Sequence, residues 1–151
     1  MAATIARSAV TLEVAGNVMA STQYIMLPQN LLTNIGVVDS EHNELFVFLE
    51  GFKEYCFEAQ DIPQSKRDIL YQMLVSHFET ESQLAHTAGV DFSYHEAAHL
   101  KVLDIVSRTL NQMSSNNSDL YSLIRYIGYW FEKHILDFDL RFALNITPVK
   151  L

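Results

Sequence analysis

Two pairs of residues, each spaced by four, constrain this 151-residue chain more than anything else in it: His77 with Glu81, and His95 with His99. Residues four apart on an α-helix rise about 6 Å and stay within about 40° of each other, so each pair sets two side chains on one face. Such a pair can grip one metal ion, or one ion and its neighbour. His42 precedes the pairs in the chain; His134 follows them, with Asp139 five residues further on.

Four segments carry helical periodicity around these positions. The first opens at Asp39-Ser40-Glu41 and runs through Leu45, Phe46, Leu49 and Phe52 to about Ala59. Pro63 then stops it. A second helix runs from about Gln64 to about Leu84, with Gly89 beyond as a left-handed cap. The third spans about Phe92 to Met113, and the fourth is capped by Ser118 or Asp119 and ends near Phe142. Only 5 Gly and 3 Pro interrupt the chain, so long helices with short connections are expected. The predicted fold class is all-α, an antiparallel up-and-down four-helix bundle over residues 27–147. Residues 1–26 are expected to form an extended, partly disordered N-terminal arm, and residues 148–151 a tail or the start of a linker.

Alternating helix directions bring the candidate ligands to one level. His42 is early in an upward helix, His77 late in a downward one, His95 early again and His134 late again. Five imidazoles and two carboxylates suit iron, zinc or copper better than magnesium or calcium, which prefer shells of oxygen alone. Seven ligands exceed what one ion takes but suit two, with carboxylates bridging. A lone buried histidine is more often a hydrogen-bonded core residue than a ligand. Burying all seven groups without a metal, however, leaves several unpaired at about 1–3 kcal/mol each, and the metal reading prevails.

Charge narrows the partners. With 10 Lys+Arg against 18 Asp+Glu the net charge is −8, which repels nucleic-acid phosphates and discourages adsorption on anionic membranes. No stretch reaches the roughly 20 apolar residues of a spanning helix. Glu13 interrupts the only apolar core of a secretory leader, Ser8 to Ala15, and the single Cys56 fits a reducing compartment. A cytoplasmic protein is expected.

Four stretches make the pattern specific: Asp39-Ser40-Glu41-His42-Asn43-Glu44-Leu45-Phe46, His77-Phe78-Glu79-Thr80-Glu81, His95-Glu96-Ala97-Ala98-His99 and the run from Trp130 to Asp139. Together they resemble the hemerythrin family of four-helix bundles with a non-haem di-iron centre. The resemblance implies that His95, His99 and His134 hold one iron and that His42 and His77 hold the other. Glu81 and Asp139 would bridge the two, together with an oxo or hydroxo group. The second iron would keep an open position where O2 binds and takes up two electrons, in a pocket walled by Trp130, Phe131 and Ile135. Leu27 stands where family members usually carry Trp, and the loop from Gly89 to Tyr94 lacks the family's Tyr-Pro pair.

The expected function is therefore reversible O2 binding, as an oxygen or redox-sensing input domain or as an oxygen carrier or store. No nucleophile–base pair or phosphate loop is visible, so binding rather than catalysis is expected. The alternative is a di-iron oxidase or iron-handling protein of ferritin-like chemistry. That site needs two Glu-x-x-His motifs, and only Glu96 to His99 supplies one. The chain stops soon after the fourth helix, as a domain cut from a longer polypeptide does, which suggests a downstream signalling domain as partner. If His134 and Asp139 both reach the metals, the turn between them must widen or Asp139 must reach across, since five residues turn an ideal helix by about 140° off the face. His86 is read as a solvated or capping residue, Cys56 as a small core residue, and Tyr94 and Glu44 as neighbours of the ligands.

Overall fold

The structure, a computed structural model, describes residues 8–14, 17–25, 27–58, 62–112 and 117–146. Ahead of the helices, its described N-terminal residues are extended. Strands β1 (Ser8–Val14) and β2 (Asn17–Ile25) pair antiparallel, with Ser8 opposite Ile25 and Thr11 opposite Thr22. The register shifts between Thr11 and Glu13, so that Val14 then faces Asn17. Over its described residues the extended segment expected at 1–26 is a pair of strands. They are rich in Val and Thr, whose branched side chains favour extended backbone.

From Leu27 onward the described chain is helical. Leu27 and Leu31, beside a 3₁₀ turn at Gln29–Leu31, are buried in the core. Helix α1 (Gly36–Glu58) starts three residues earlier than expected. Asp39 lies inside its first turn, where its carboxylate accepts bonds from Thr33 N (2.8 Å), Thr33 Oγ1 (2.7 Å) and Asn34 N (3.0 Å). It fastens the preceding segment to the helix. Helix α2 (Gln64–Ala88) ends as read from the sequence, with Gly89 left-handed at φ 67° and its N–H returned to the last turn. Helix α3 (Ser93–Gln112) begins beside Asp91, which accepts the Ser93 N–H at 3.0 Å.

The last segment is one rod in three parts: α4 (Asn117–His134), a π-helical turn (Ile135–Asp139) and α5 (Leu140–Ile146). Helix α1 packs on α2 and α4, and α3 packs on the same two. Near the end of α1, Tyr55 receives Lys66 of α2 on its ring face at 4.5 Å, and Phe57 meets Tyr121 of α4 at 5.0 Å.

Each helix buries a stripe at three- and four-residue steps, which is what a period of 3.6 requires of a one-sided surface. On α1 the stripe is Val38, His42, Leu45, Leu49, Phe52 and Cys56; on α3 it is His95, His99, Val102, Val106 and Leu110. Aliphatic side chains such as Leu70, Leu74, Ile124 and Ile127 fill the middle. Toward one end the same stripes switch to histidine and carboxylate. Among the described residues no helix is long and apolar enough to cross a membrane. The expected tail at 148–151 lies outside the described residues.

Candidate metal centre

All seven residues expected as ligands converge in the interior. His42 comes from α1, His77 and Glu81 from α2, His95 and His99 from α3, His134 from the end of α4, and Asp139 closes the π turn. All seven are buried, with His42 and Glu81 at 0% exposure. Their potential donor atoms form two groups that share both carboxylates, and within each group they lie within 4.8 Å of one another. One group contains His95, His99, His134, Glu81 and Asp139; the other contains His42, His77, Glu81 and Asp139.

Each carboxylate divides its oxygens between the groups. Glu81 turns Oε1 toward His77 Nε2 (3.0 Å) and His42 Nε2 (3.6 Å), and Oε2 toward His99 Nε2 (3.2 Å) and His95 Nε2 (3.3 Å). Asp139 turns Oδ2 toward His42 Nε2 (3.1 Å), and Oδ1 toward His95 Nε2 (3.0 Å) and His134 Nε2 (3.2 Å). His134 Nε2 is also 3.0 Å from the Nε2 atoms of both His95 and His99.

These separations are those of atoms around common cations. Metal–ligand bonds of about 2.0–2.2 Å at right angles put neighbouring donors about 3 Å apart and opposite donors about 4.2 Å apart. Hydrogen bonding accounts for few of the contacts. Both nitrogens of His42, Nε2 of His77 and all four oxygens of Glu81 and Asp139 are buried without an aligned partner. So many orphaned buried groups, each costing about 1–3 kcal/mol, fit a pair of metal ions held by these residues. The donor set, five imidazoles with two carboxylates, could bind a metal ion, and its nitrogen-rich chemistry differs from the all-oxygen shells of magnesium and calcium.

The π turn explains how Asp139 arrives. A widened turn carries one extra residue, which brings the side chain five positions beyond His134 onto the histidine's face. Asp139 is only 1% exposed, as the widened-turn expectation requires.

The imidazoles and carboxylates shift one another's protonation. Burial opposes charge on Glu81, but His42, His77, His95 and His99 outweigh it and hold the carboxyl well below its usual range. Asp139 is likewise lowered against burial by His134, His42 and His95. Burial disfavours the charged form of His77, yet Glu41 and Glu81 push its pKa up to about 9. His99 goes the other way: burial takes it down to about 4, although Glu81 pulls upward.

Glu41 is the supporting residue that reasoning from sequence missed. Its Oε1 accepts from His77 Nδ1 at 3.0 Å and its Oε2 from Thr80 Oγ1 at 3.0 Å. Holding the proton on Nδ1 leaves the Nε2 lone pair facing Glu81 and the interior. The signal was its place directly before His42, on the side of α1 that meets α2; Glu44, singled out instead, is exposed.

The pocket residues divide between the two groups. Phe131 is fully buried and lies 5.4 Å from His42 and 5.6 Å from His77, ring to ring. Ile135 is fully buried in the same core. Trp130, half-buried, stacks instead on His134 at 4.5 Å. Phe78, unremarked in the sequence, stacks on His99 at 3.8 Å and 9°. His86 is exposed and Cys56 is a buried free thiol. No family model matches the chain, and neither a curated protein nor a solved structure matches it.

Proposed function

We propose that this chain is a hemerythrin-like di-iron protein that binds O2 reversibly, as an oxygen or redox-sensing input domain or as an oxygen carrier or store. The observation that carries this reading is the unequal pair of donor groups joined by Glu81 and Asp139, three histidines on one side and two on the other. His95, His99 and His134 would hold one iron, His42 and His77 the other, and an oxo or hydroxo group would complete the bridge. Four protein donors leave the two-histidine ion with room for an external ligand. Held there, a ferrous pair would supply the two electrons that reversible O2 binding needs.

The chain's own residues do the rest. Phe131 and Ile135 keep the two-histidine side apolar and dry, which suits O2 and excludes bulk water. Glu41 fixes the tautomer of His77. The paired contacts at both ends of α1 with α2 and α4 support an antiparallel up-and-down four-helix bundle spanning about residues 27–147. For a sensor, a signalling domain in the same polypeptide would read the state of the bundle, in a cytoplasmic setting. Ferritin-like oxidase chemistry has less support from a site with five imidazoles.

The deciding experiment measures iron content and the absorption spectrum of anaerobically reduced protein, then repeats the spectrum after O2 and after its removal. Two irons per chain with a charge-transfer band that appears and disappears is the expected result. Two irons that oxidise with no lasting oxy form would redirect the reading to redox sensing or oxidase chemistry. Absence of iron would end it.

A further inference from the structure

One aromatic side chain beside the centre has no role in holding a metal. Tyr94 adjoins His95 in the chain yet is 81% exposed. Its ring stacks on Phe138 at 5.6 Å and 27°, and Phe138 stacks in turn on His134 at 4.8 Å and 15°. An unbroken run of near-parallel rings therefore leads from solvent to a histidine of the three-histidine group. Around Tyr94 lies a surface pocket of about 370 Å³ that reaches His95 itself. Its size is within the range of small-molecule sites.

The lining has a definite chemistry. Phe92, Phe138 and Phe142 give aromatic walls, Arg141 and Asn145 bring hydrogen-bond donors, and Asp91 and Asp137 bring negative charge. Such a pocket suits a planar, uncharged ring system with carbonyl groups on one edge and repels a phosphate. We propose that it is the docking site of a reduced, unphosphorylated flavin ring, and that the Tyr94–Phe138–His134 stack carries its electrons to the metal pair.

This rests on the di-iron reading, which also creates the need for it. Reversible O2 binding requires both ions ferrous, so a protein oxidised to the diferric state is inactive until two electrons return. One dihydroflavin supplies them. It loses its N1 and N5 hydrogens as two protons to water and two electrons, one for each ferric ion, and leaves as oxidised flavin.

The test uses lumiflavin, the ring without a phosphate, and two readouts. Flavin fluorescence is quenched on stacking with tyrosine, so wild-type protein should quench oxidised lumiflavin. Tyr94→Ala should weaken that binding about tenfold, the size of one lost aromatic stack. Tyr94→Phe should retain the affinity, read by calorimetry because a phenyl ring does not quench flavin emission, and Phe57→Ala, at an exposed ring near the end of α1, should leave both quenching and affinity unchanged. Anaerobic reduction of the diferric protein by dihydrolumiflavin should slow by a similar factor in Tyr94→Ala, with iron content unaltered. Equal quenching in wild type and Tyr94→Ala overturns the docking site. Loss of quenching with an unchanged reduction rate overturns the electron route. A protein without iron defeats the di-iron reading and the route with it, while the quenching result still judges the pocket by itself.

Discussion

The two donor groups share Glu81 and Asp139 but differ in what surrounds them. The three-histidine group is enclosed by rings: Phe78 lies on His99, Phe92 is 4.4 Å from His95, and Trp130 and Phe138 sandwich His134. The two-histidine group meets Phe131 and, 5.7 Å from His77, the ring of Phe78, and on its other side an acid, Glu41. Protonation does not divide as cleanly, since burial opposes charge on His77, His95 and His99 alike. Yet Glu41 and Glu81 raise His77 to about 9, Asp139 and Glu81 raise His95, and of the three His99 alone is lowered, to about 4. Burial against the ring of Phe78 favours the neutral form of His99. A carboxylate behind a histidine makes it a more basic, adjustable one. The lesson is that two groups sharing the same carboxylates differ both in their number of histidines and in the side chains behind those histidines.

Removing a bridge should abolish the distinction and has the largest expected effect. Glu81→Ala deletes an oxygen donor from both groups and leaves four imidazoles without the carboxylate between them. Bound iron should fall from two per chain to less than one, measured by metal analysis of purified protein. Two irons retained would remove Glu81 from the site.

Single-histidine variants should expose the inequality itself. His77→Ala affects only the two-histidine side, and His99→Ala only the other. The first should keep one iron per chain, in the three-histidine group. The second should lose more, because a cage of rings with one imidazole missing offers no polar replacement. Comparing iron per chain in the two variants checks this, and equal losses would show that the groups bind metal as one unit.

Much of this comparison was legible in the chain, because spacing fixes faces on a helix. The pairs His77/Glu81 and His95/His99 needed no tertiary information, and neither did the left-handed Gly89. For Asp139, once the resemblance had set it beside His134, helix geometry left two routes, a widened turn or a reach across, and the structure shows the widened turn. What stayed hidden depended on how helices face each other. Phe78 and Phe138 stood only as members of the stretches around the ligands until the structure set their rings against His99 and His134. Glu41 read as a capping acid until α2 packed beside it. The pairing of β1 with β2 was missed although it is local, because a search for helical stripes passes over short extended segments.

Glu41→Gln gives the smallest and sharpest test of the difference between the groups. In metal-free protein His77 has a folded pKa of about 9 against an ordinary 6.5. Its protonation therefore stabilises the fold fully below pH 6.5, and that stabilisation is lost as pH rises through 9. Neutralising Glu41 removes the partner of Nδ1 but leaves Glu81, so the His77 pKa should drop toward 6.5 without reaching it. The stability gap between wild type and variant should be widest near pH 6 and vanish by about pH 10. His99 has the opposite sign: its lowered pKa costs stability only as pH falls from 6.5 toward 4, and Glu41→Gln should leave that limb unchanged. Histidine titration by NMR reads both residues in one experiment. Because a supporting carboxylate also raises the affinity of its histidine for metal, the variant should bind its second iron roughly tenfold more weakly while holding the first as wild type does. A His77 titration unmoved by the substitution would show that Glu41 does not tune this histidine, and the contrast between the groups would then rest on histidine number and the aromatic rings.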